Sequence, residues 1–209
     1  MDKKIFILVE GVADLVFLRD FIGFHFNYEN NDKIKDSTIE ISLKLNNNEI
    51  VIRQNKGKYF DPNKITDLKQ DINKFNPSKV LAIFDADDDF QSSKQNLENV
   101  FEEIKKNMDS FLFPNNKNTG ELETLLENIA TKTDILDCWQ SFEDCVKKKN
   151  ATYTIPAKKS KIYTYLSISS PDKDKENCKE RNRNYKDDKW DLNHNDIQPL
   201  KTFLDRYLI

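Results

Sequence analysis

Short apolar runs alternate along the chain with longer segments whose apolar residues recur at helical spacing. Residues 5–9 and 80–84 are continuous apolar runs, as expected for strands that are buried on both faces. Residues 38–54 alternate apolar and polar positions on both sides of "NNN", which predicts a β-hairpin. A further short strand is expected at 110–113, closed by Pro114. This order of elements predicts an α/β fold with a mostly parallel sheet.

Helical periodicity accounts for most of the remaining chain. Apolar stripes predict helices over seven segments, namely 13–24, 65–75, 97–108, 122–129, 135–145, 157–168 and 200–208. Cys138 and Cys145 fall on one of these stripes and are expected in the core. Residues 170–195 are polar and predicted to form a loop. The hairpin is expected to be an insertion or an antiparallel edge of the sheet, with helices flanking both.

Composition and charge narrow the class of protein. The 209 residues are 33% charged and carry a net charge of −3, so overall charge does not indicate a nucleic-acid binder. Lysine clusters at 147–149 and 158–161 are local exceptions. The three cysteines form no CxxC pair, which argues against a zinc ribbon or a disulfide framework. Because Glu10 and Asp14 interrupt the N-terminal apolar run, we expect no membrane span, and a cytoplasmic protein.

The stretch "VLAIFDADDDF" places four aspartates directly after the second buried strand. If the strand direction persists, Asp85, Asp87 and Asp89 lie on one side, and Asp88 points away as a cap or into solvent. Three converging carboxylates are suited to a hard cation such as Mg²⁺ or Mn²⁺. The alternative is helix capping by Asp88 or Asp89, which leaves Asp85 unexplained.

The stretch "VEGVADLVFL" supplies a second acidic group at the end of the first buried strand. Glu10 follows the strand, Gly11 permits a tight turn, and Asp14 falls in the first turn of the next helix. A structural alternative is that Gly11 only makes the turn and Asp14 complements the helix dipole. Since parallel strands end at one edge of a sheet, both acidic stretches are expected to meet there.

Glu10-Gly11-x-x-Asp14 followed by Asp85-x-Asp87-x-Asp89 resembles the TOPRIM fold, and in particular its overcoming-lysogenization-defect nuclease branch. The resemblance implies a Rossmann-like core over residues 1–115 and a helical extension over 116–209, packed together as one compact domain. It implies that Glu10 acts as general acid/base or metal ligand, and that Asp85 and Asp87 hold metal. Asp89 is a further candidate ligand, and Asp14 matches the nuclease form of the motif.

The segment "LFPNNKNTGELETLLENI" resembles a small, uncharacterised TOPRIM-containing group. Glu123 matches its G-x-L-E pattern and is the candidate for an additional metal ligand. Glu121 lies about 200° away around the helix, at ~100° per residue, and Asn118-x-x-Glu121 resembles a capping box.

Lysine side chains are candidates for contacts with phosphate. Lys158, Lys161 and Tyr165 share one face of the predicted helix, and Lys161 is the candidate catalytic cation; a solvated helical face is the alternative. The "NKGK" stretch at 55–58 is a further candidate phosphate loop.

Together these residues predict a Mg²⁺- or Mn²⁺-dependent phosphodiesterase that acts on DNA or RNA. The alternatives are a non-catalytic TOPRIM module that binds metal or nucleic acid, or a nucleotidyl transferase that needs partner chains. A protein partner or a homo-oligomer is compatible with each. The chain is too short for a topoisomerase, and its cysteines do not supply the zinc module of a complete primase.

Overall fold

The structure is a computed structural model that describes residues 3–30, 34–35, 37–105, 108–170 and 178–209. Its strands are β1 (Lys4–Val9), β2 (Glu40–Leu45), β3 (Asn48–Gln54), β4 (Lys79–Asp85) and β5 (Met108–Phe113). Its α-helices are α1 (Val12–Phe26), α2 (Pro62–Phe75), α3 (Phe90–Ile104), α4 (Leu122–Ile129), α5 (Thr133–Lys149), α6 (Lys158–Ser169) and α7 (Gln198–Leu208).

The strands form an open sheet in the order β2-β3-β1-β4-β5. Strands β3, β1, β4 and β5 are parallel, and β2 pairs antiparallel with β3 at one edge. The predicted α/β fold with a mostly parallel sheet is therefore confirmed. The hairpin supplies the antiparallel edge of the sheet, and its second strand β3 pairs directly with β1.

Helices cover both faces of the sheet, and this explains why five consecutive residues of β1 are apolar. Ile5, Ile7 and Val9 point into a core formed with α1, α4, α6 and α7. Phe6 and Leu8 point into the opposite core, formed with α2 and α3. Successive side chains of a strand point to opposite faces, so a strand covered on both faces needs a continuous apolar run.

Two predictions on the helices are wrong. Met108 begins β5, because α3 ends at Ile104 and Lys105 adopts a left-handed conformation with φ 57°. Cys138 and Cys145 are exposed, since no residue of α5 is buried in the part of the chain that the structure describes. The apolar stripe of α5 exists, but only its first turn packs on the core.

The polar segment 170–195 also contributes more to the core than its composition predicts. Residues 171–177 lie outside the described residues, but beyond them Tyr185 and Trp190 are buried. The backbone N–H of Tyr185 donates to the buried Asp20 carboxylate of α1 at 2.8 Å. Within the described ranges, no helix is long and apolar enough to cross a membrane.

Candidate functional site

The connections of β1 create a switch point at the carboxyl edge of the sheet. β1 is flanked by β3 on one side and by β4 on the other, and in open α/β sheets ligands bind outside the strand ends at such a point. Glu10 follows β1 and Asp85 ends β4, and both border a cavity of about 140 Å³. The other ionisable side chains that line this cavity are Asp14, Glu123, Lys159 and Glu180.

Asp14 is placed by the start of α1. Its carboxylate accepts a hydrogen bond of 2.8 Å from the backbone N–H of Gly11, as a helix-capping role requires. The side chain is nevertheless buried in the acidic cavity. Burial raises the pKa of Asp14 to about 7, and the charges of Glu10 and Glu123 act in the same direction against the hydrogen bond from Gly11. Asp14 therefore both caps α1 and belongs to the acidic cluster.

Asp85 joins the end of β4 to the start of α4. Its Oδ1 accepts a hydrogen bond of 2.8 Å from the backbone N–H of Leu122, the first residue of α4. Burial, followed by the charges of Asp14 and Glu10, raises the pKa of Asp85 to about 9. A capping carboxylate in solvent would have its pKa lowered by that hydrogen bond. The dominant influence on Asp85 is therefore the crowded, buried acidic cavity.

Glu10 and Glu123 each carry a buried carboxylate oxygen that has no hydrogen-bond partner among the described residues. These atoms are Oε2 of Glu10 and Oε1 of Glu123. Burial raises the pKa of both groups; the Asp87 charge adds to the effect on Glu10. Because native proteins rarely leave buried polar atoms unpaired, the two oxygens indicate a missing partner in the cavity.

Glu121 takes a different position from Glu123. It is the N-cap of α4, and its backbone N–H donates to Oγ1 of Thr124 at 3.2 Å. The capping-box pattern predicted that Glu121 pairs with Asn118 at the helix start. In the structure Glu121 pairs with Thr124 instead. Of the two glutamates, Glu123 lines the acidic cavity, where the sequence placed the additional candidate ligand.

Asp87 lies at the edge of the cluster in a turn. Its φ is 51°, in the left-handed region, and its backbone pairs with Gly120 in both directions at 2.9 and 2.7 Å. The carboxylate forms an ion pair with Lys58 at 2.9 Å. Lys58 belongs to the "NKGK" stretch, so that loop does reach the acidic residues. The charge of Asp87 helps to raise the pKa of Glu10, but Asp87 does not line the acidic cavity.

Asp89 is the N-cap of α3. Its carboxylate accepts from the backbone N–H of Ser92 at 3.0 Å and from the Ser92 hydroxyl at 2.7 Å, and these hydrogen bonds lower its pKa. Of the two candidate caps it is therefore Asp89 that caps α3, whereas Asp88 is exposed, which is the solvent-facing alternative predicted for it. The strand alternation that grouped Asp89 with Asp85 fails because β4 ends at Asp85 and the chain turns at Asp87. Asp89 does not line the acidic cavity.

Replacing Asp89 with alanine tests this assignment. We expect Asp89→Ala to lower the free energy of unfolding, because α3 loses its N-cap. The rise in melting temperature on adding Mn²⁺ should stay unchanged. Asp88→Ala is the matched control and should change neither quantity. Loss of the Mn²⁺ response in Asp89→Ala alone would show that Asp89 is a ligand.

The lysine at the cavity is Lys159, which the sequence did not single out. Lys161 instead pairs with Glu127 at 2.8 Å, and Lys158 donates to Oγ1 of Thr124 at 2.9 Å. The face chosen from the sequence contains Tyr165, which is fully buried, so it is the core face of α6. The position of Lys159, beside this face on the helix, is the feature of the sequence that could have identified it.

Lys159 is surrounded by acidic groups. Its ammonium lies 3.7 Å from the carboxylate of Glu180, which also lines the cavity. Desolvation lowers the pKa of Lys159, but the charges of Glu180, Glu123 and the neighbouring aspartates outweigh it and leave that pKa raised. Lys159 is therefore a cation at neutral pH, held beside the carboxyl cluster.

The donor set of the cavity fits a hard divalent cation. Across the described ranges, no group of three or more His, Cys, Asp or Glu side chains is already arranged to hold a metal ion. Mg²⁺, however, takes only one or two carboxylates and completes its shell with water or substrate oxygens. The unpaired oxygens of Glu10 and Glu123, next to Asp85, supply that chemistry.

The fold and the site define an α/β protein with an open, mostly parallel sheet and a buried acidic cluster at its carboxyl edge. The chain belongs to the DUF3226 family, described as a protein of unknown function, whose model matches residues 4–208. No curated protein matches the chain. The crystal structure of hypothetical protein PH0156 from Pyrococcus horikoshii OT3 is similar, with a TM-score of 0.54 and 16% identity over 98% of this chain and 95% of that one. At that identity the similarity shows the fold alone.

Proposed function

We propose that this protein is a divalent-metal-dependent phosphodiesterase that cleaves nucleic acid through a TOPRIM-type acidic site. The observation that carries the proposal is the convergence of Glu10, Asp14, Asp85 and Glu123 on one small cavity at the switch point of the sheet. The resemblance of the two acidic motifs to TOPRIM nucleases supports the reaction class.

The electrostatics of the cluster support a cationic ligand. The pKa values of Glu10, Asp14, Asp85 and Glu123 are all raised, with burial as the main cause. Burying several carboxyl groups together is unfavourable unless a positive charge or a proton compensates. Lys159 lies at the rim and supplies one such charge for the whole group. A divalent cation would compensate the rest.

Each residue has a distinct role in the proposal. Glu10, Asp85 and Glu123 would hold Mg²⁺ or Mn²⁺, which when bound neutralises phosphate charge and lowers the pKa of a water molecule. Glu10 would also orient or deprotonate the attacking water, since one of its oxygens is unpaired in the cavity. The backbone carbonyl of Glu10 accepts from Gly57 N–H at 2.9 Å, which fixes its position. Lys159 would stabilise the negative charge that develops on the phosphate.

The test is cleavage of single- and double-stranded DNA and RNA with Mg²⁺ or Mn²⁺, and with EDTA. We expect metal-dependent products from the wild type, and activity lower by about 100-fold or more in Glu10→Gln and Asp85→Asn. Glu98→Gln on the exposed face of α3 removes the same charge away from the cavity and is the control. Failure of the wild type to cut any of the four substrates, or equal cleavage by the two variants, would overturn the proposal.

A second candidate function is a non-catalytic TOPRIM module that binds metal or nucleic acid, or a transferase core that needs partner chains. It is favoured by the net charge of −3, which gives no overall attraction to a phosphate backbone. Calorimetric titration with Mn²⁺ alongside the cleavage assay separates the two candidates. Cation binding without turnover would support the binding module.

A further inference from the structure

A second cavity, of about 550 Å³, shares Asp85 with the acidic cavity. Its volume falls in the range of cavities that hold small organic groups, roughly 300–1,000 Å³. One wall carries the aromatic residues Tyr59, Phe60 and Phe84, and α3 supplies polar side chains, including Asn96 and Asn99. We call it the aromatic cavity.

The aromatic wall is fixed at its base and exposed at its top. Phe84 is buried at the end of β4, and the ring centroid of Phe60 lies 5.7 Å from that of Phe84 with 34° between the planes. Tyr59 is 77% exposed. Its backbone carbonyl accepts hydrogen bonds from the side chains of Asn55 at 3.2 Å and Lys64 at 3.0 Å. The hydrogen bonds fix the main chain at Tyr59, and its exposed ring lines the aromatic cavity beside the acidic site.

Without a bound cation, the charges around the aromatic cavity disfavour a phosphate, whereas they do not repel a neutral planar group. Its acidic lining residues are Asp85, Asp87, Asp88 and Asp89. The ammonium of Lys58 also borders the cavity, but it is paired with Asp87 at 2.9 Å. The amides of Asn96 and Asn99 offer both donors and acceptors, which suit the edge of a nucleobase.

A third cavity places positive charge on another side of the acidic site. It has a volume of about 530 Å³, shares Lys159 and Glu180 with the acidic cavity, and is also lined by Lys179, Arg181 and Arg183, so four cationic side chains face one carboxylate. The acidic cavity thus adjoins the aromatic cavity at Asp85 and the third, mostly cationic cavity at Lys159. Phosphate groups are favoured in the cationic cavity and bases in the aromatic one.

We propose that the aromatic cavity is a nucleobase subsite and that the substrate is single-stranded nucleic acid. A base that stacks on Tyr59 must leave its own stack, which a single strand permits at low cost. The neighbouring phosphodiester then lies at the acidic cavity, with the chain continuing past Lys159. This inference rests on the proposed function, because it takes the acidic cavity as the place of the scissile phosphate.

Binding measurements test the subsite separately from cleavage. Fluorescence anisotropy with Ca²⁺ in place of Mg²⁺ would compare a 12-nucleotide single strand, the same strand with abasic positions, and its duplex. We expect Tyr59→Ala to weaken binding of the single strand about tenfold, as for loss of one base–aromatic stack. The abasic strand should bind equally to Tyr59→Ala and the wild type, because the stack is already absent.

Tyr153→Ala is the matched control, since Tyr153 is also an exposed tyrosine but lies outside all three cavities. It should bind like the wild type. If the wild type cleaves nucleic acid while Tyr59→Ala binds the single strand as tightly as Tyr153→Ala, the subsite is wrong and the proposed function stands. If the wild type neither binds nor cuts any of these nucleic acids, both proposals fall.

Discussion

Asp85→Asn should raise the free energy of unfolding of the cation-free protein at pH 8, by about 2 kcal/mol or more. The wild-type carboxyl group is buried among Asp14, Glu10 and Glu123, which raises its pKa to about 9. Asparagine has no charge to desolvate, and its side-chain oxygen still accepts the hydrogen bond that Leu122 N–H gives to Asp85. Chemical denaturation in EDTA measures the difference, and the same substitution should lower cleavage about 100-fold or more.

The stability difference should depend on pH in a defined direction. The folded-state pKa of Asp85 is about 9 and that of Asp14 about 7, both above the ordinary value of 3.8. Between about pH 4 and pH 9 these two carboxyl groups therefore bind more protons in the folded state than in the unfolded state. Stability of the cation-free wild type falls as pH rises through this range. Asp85→Asn removes the larger part of this pH dependence. The free energies of unfolding of the variant and the wild type should therefore become equal near pH 4.

Asp88→Asn is the control for the pH series, because it makes the same chemical change on an exposed residue of the same turn. It should leave the slope as in the wild type. Adding Mn²⁺ should stabilise the wild type and Asp88→Asn most at high pH, where the carboxyl groups give up protons readily, and should have little effect on Asp85→Asn. A less stable Asp85→Asn at pH 8 in EDTA would contradict the buried, crowded state of this carboxyl group.

Glu123→Gln should lower metal-dependent cleavage about 100-fold, whereas Glu121→Gln should lower it less than about threefold. Only two positions separate these glutamates, but Glu123 is 2% exposed with an unpaired oxygen in the acidic cavity. Glu121 is half-buried at the start of α4, where its backbone N–H and carbonyl make the hydrogen bonds with Thr124. Initial rates at saturating Mn²⁺ measure the effect.

The same pair of variants separates a role in catalysis from a role in folding. Glutamine keeps the size of glutamate, so both proteins should unfold cooperatively at melting temperatures close to that of the wild type or above it in EDTA. The Mn²⁺-induced rise in melting temperature should be reduced in Glu123→Gln only. Equal activity of the two variants would show that Glu123 is not a ligand of the proposed metal site.

The strands and their order of connection follow from local patterns in the sequence. Residues 5–9 and 80–84 are apolar throughout because both faces of β1 and β4 are covered, which needs no knowledge of long-range contacts. Parallel strands end at one edge, so the meeting of Glu10 with Asp85 could also be predicted. The G-x-L-E pattern identifies Glu123 from the sequence, and Glu123 is buried at the acidic cavity.

Only the tertiary structure determines which of several adjacent polar side chains reaches the acidic cavity and which caps a helix or faces solvent. Asp89 caps α3 because the chain leaves the strand direction at Asp87, whose left-handed φ no alternation rule anticipates. Lys159, and not Lys161, reaches the acidic cavity because packing turns the Tyr165 face of α6 toward the core. Cys138 stays exposed because its stripe on α5 is not covered. Periodicity determines which residues share a face, but only packing between distant segments determines what that face meets.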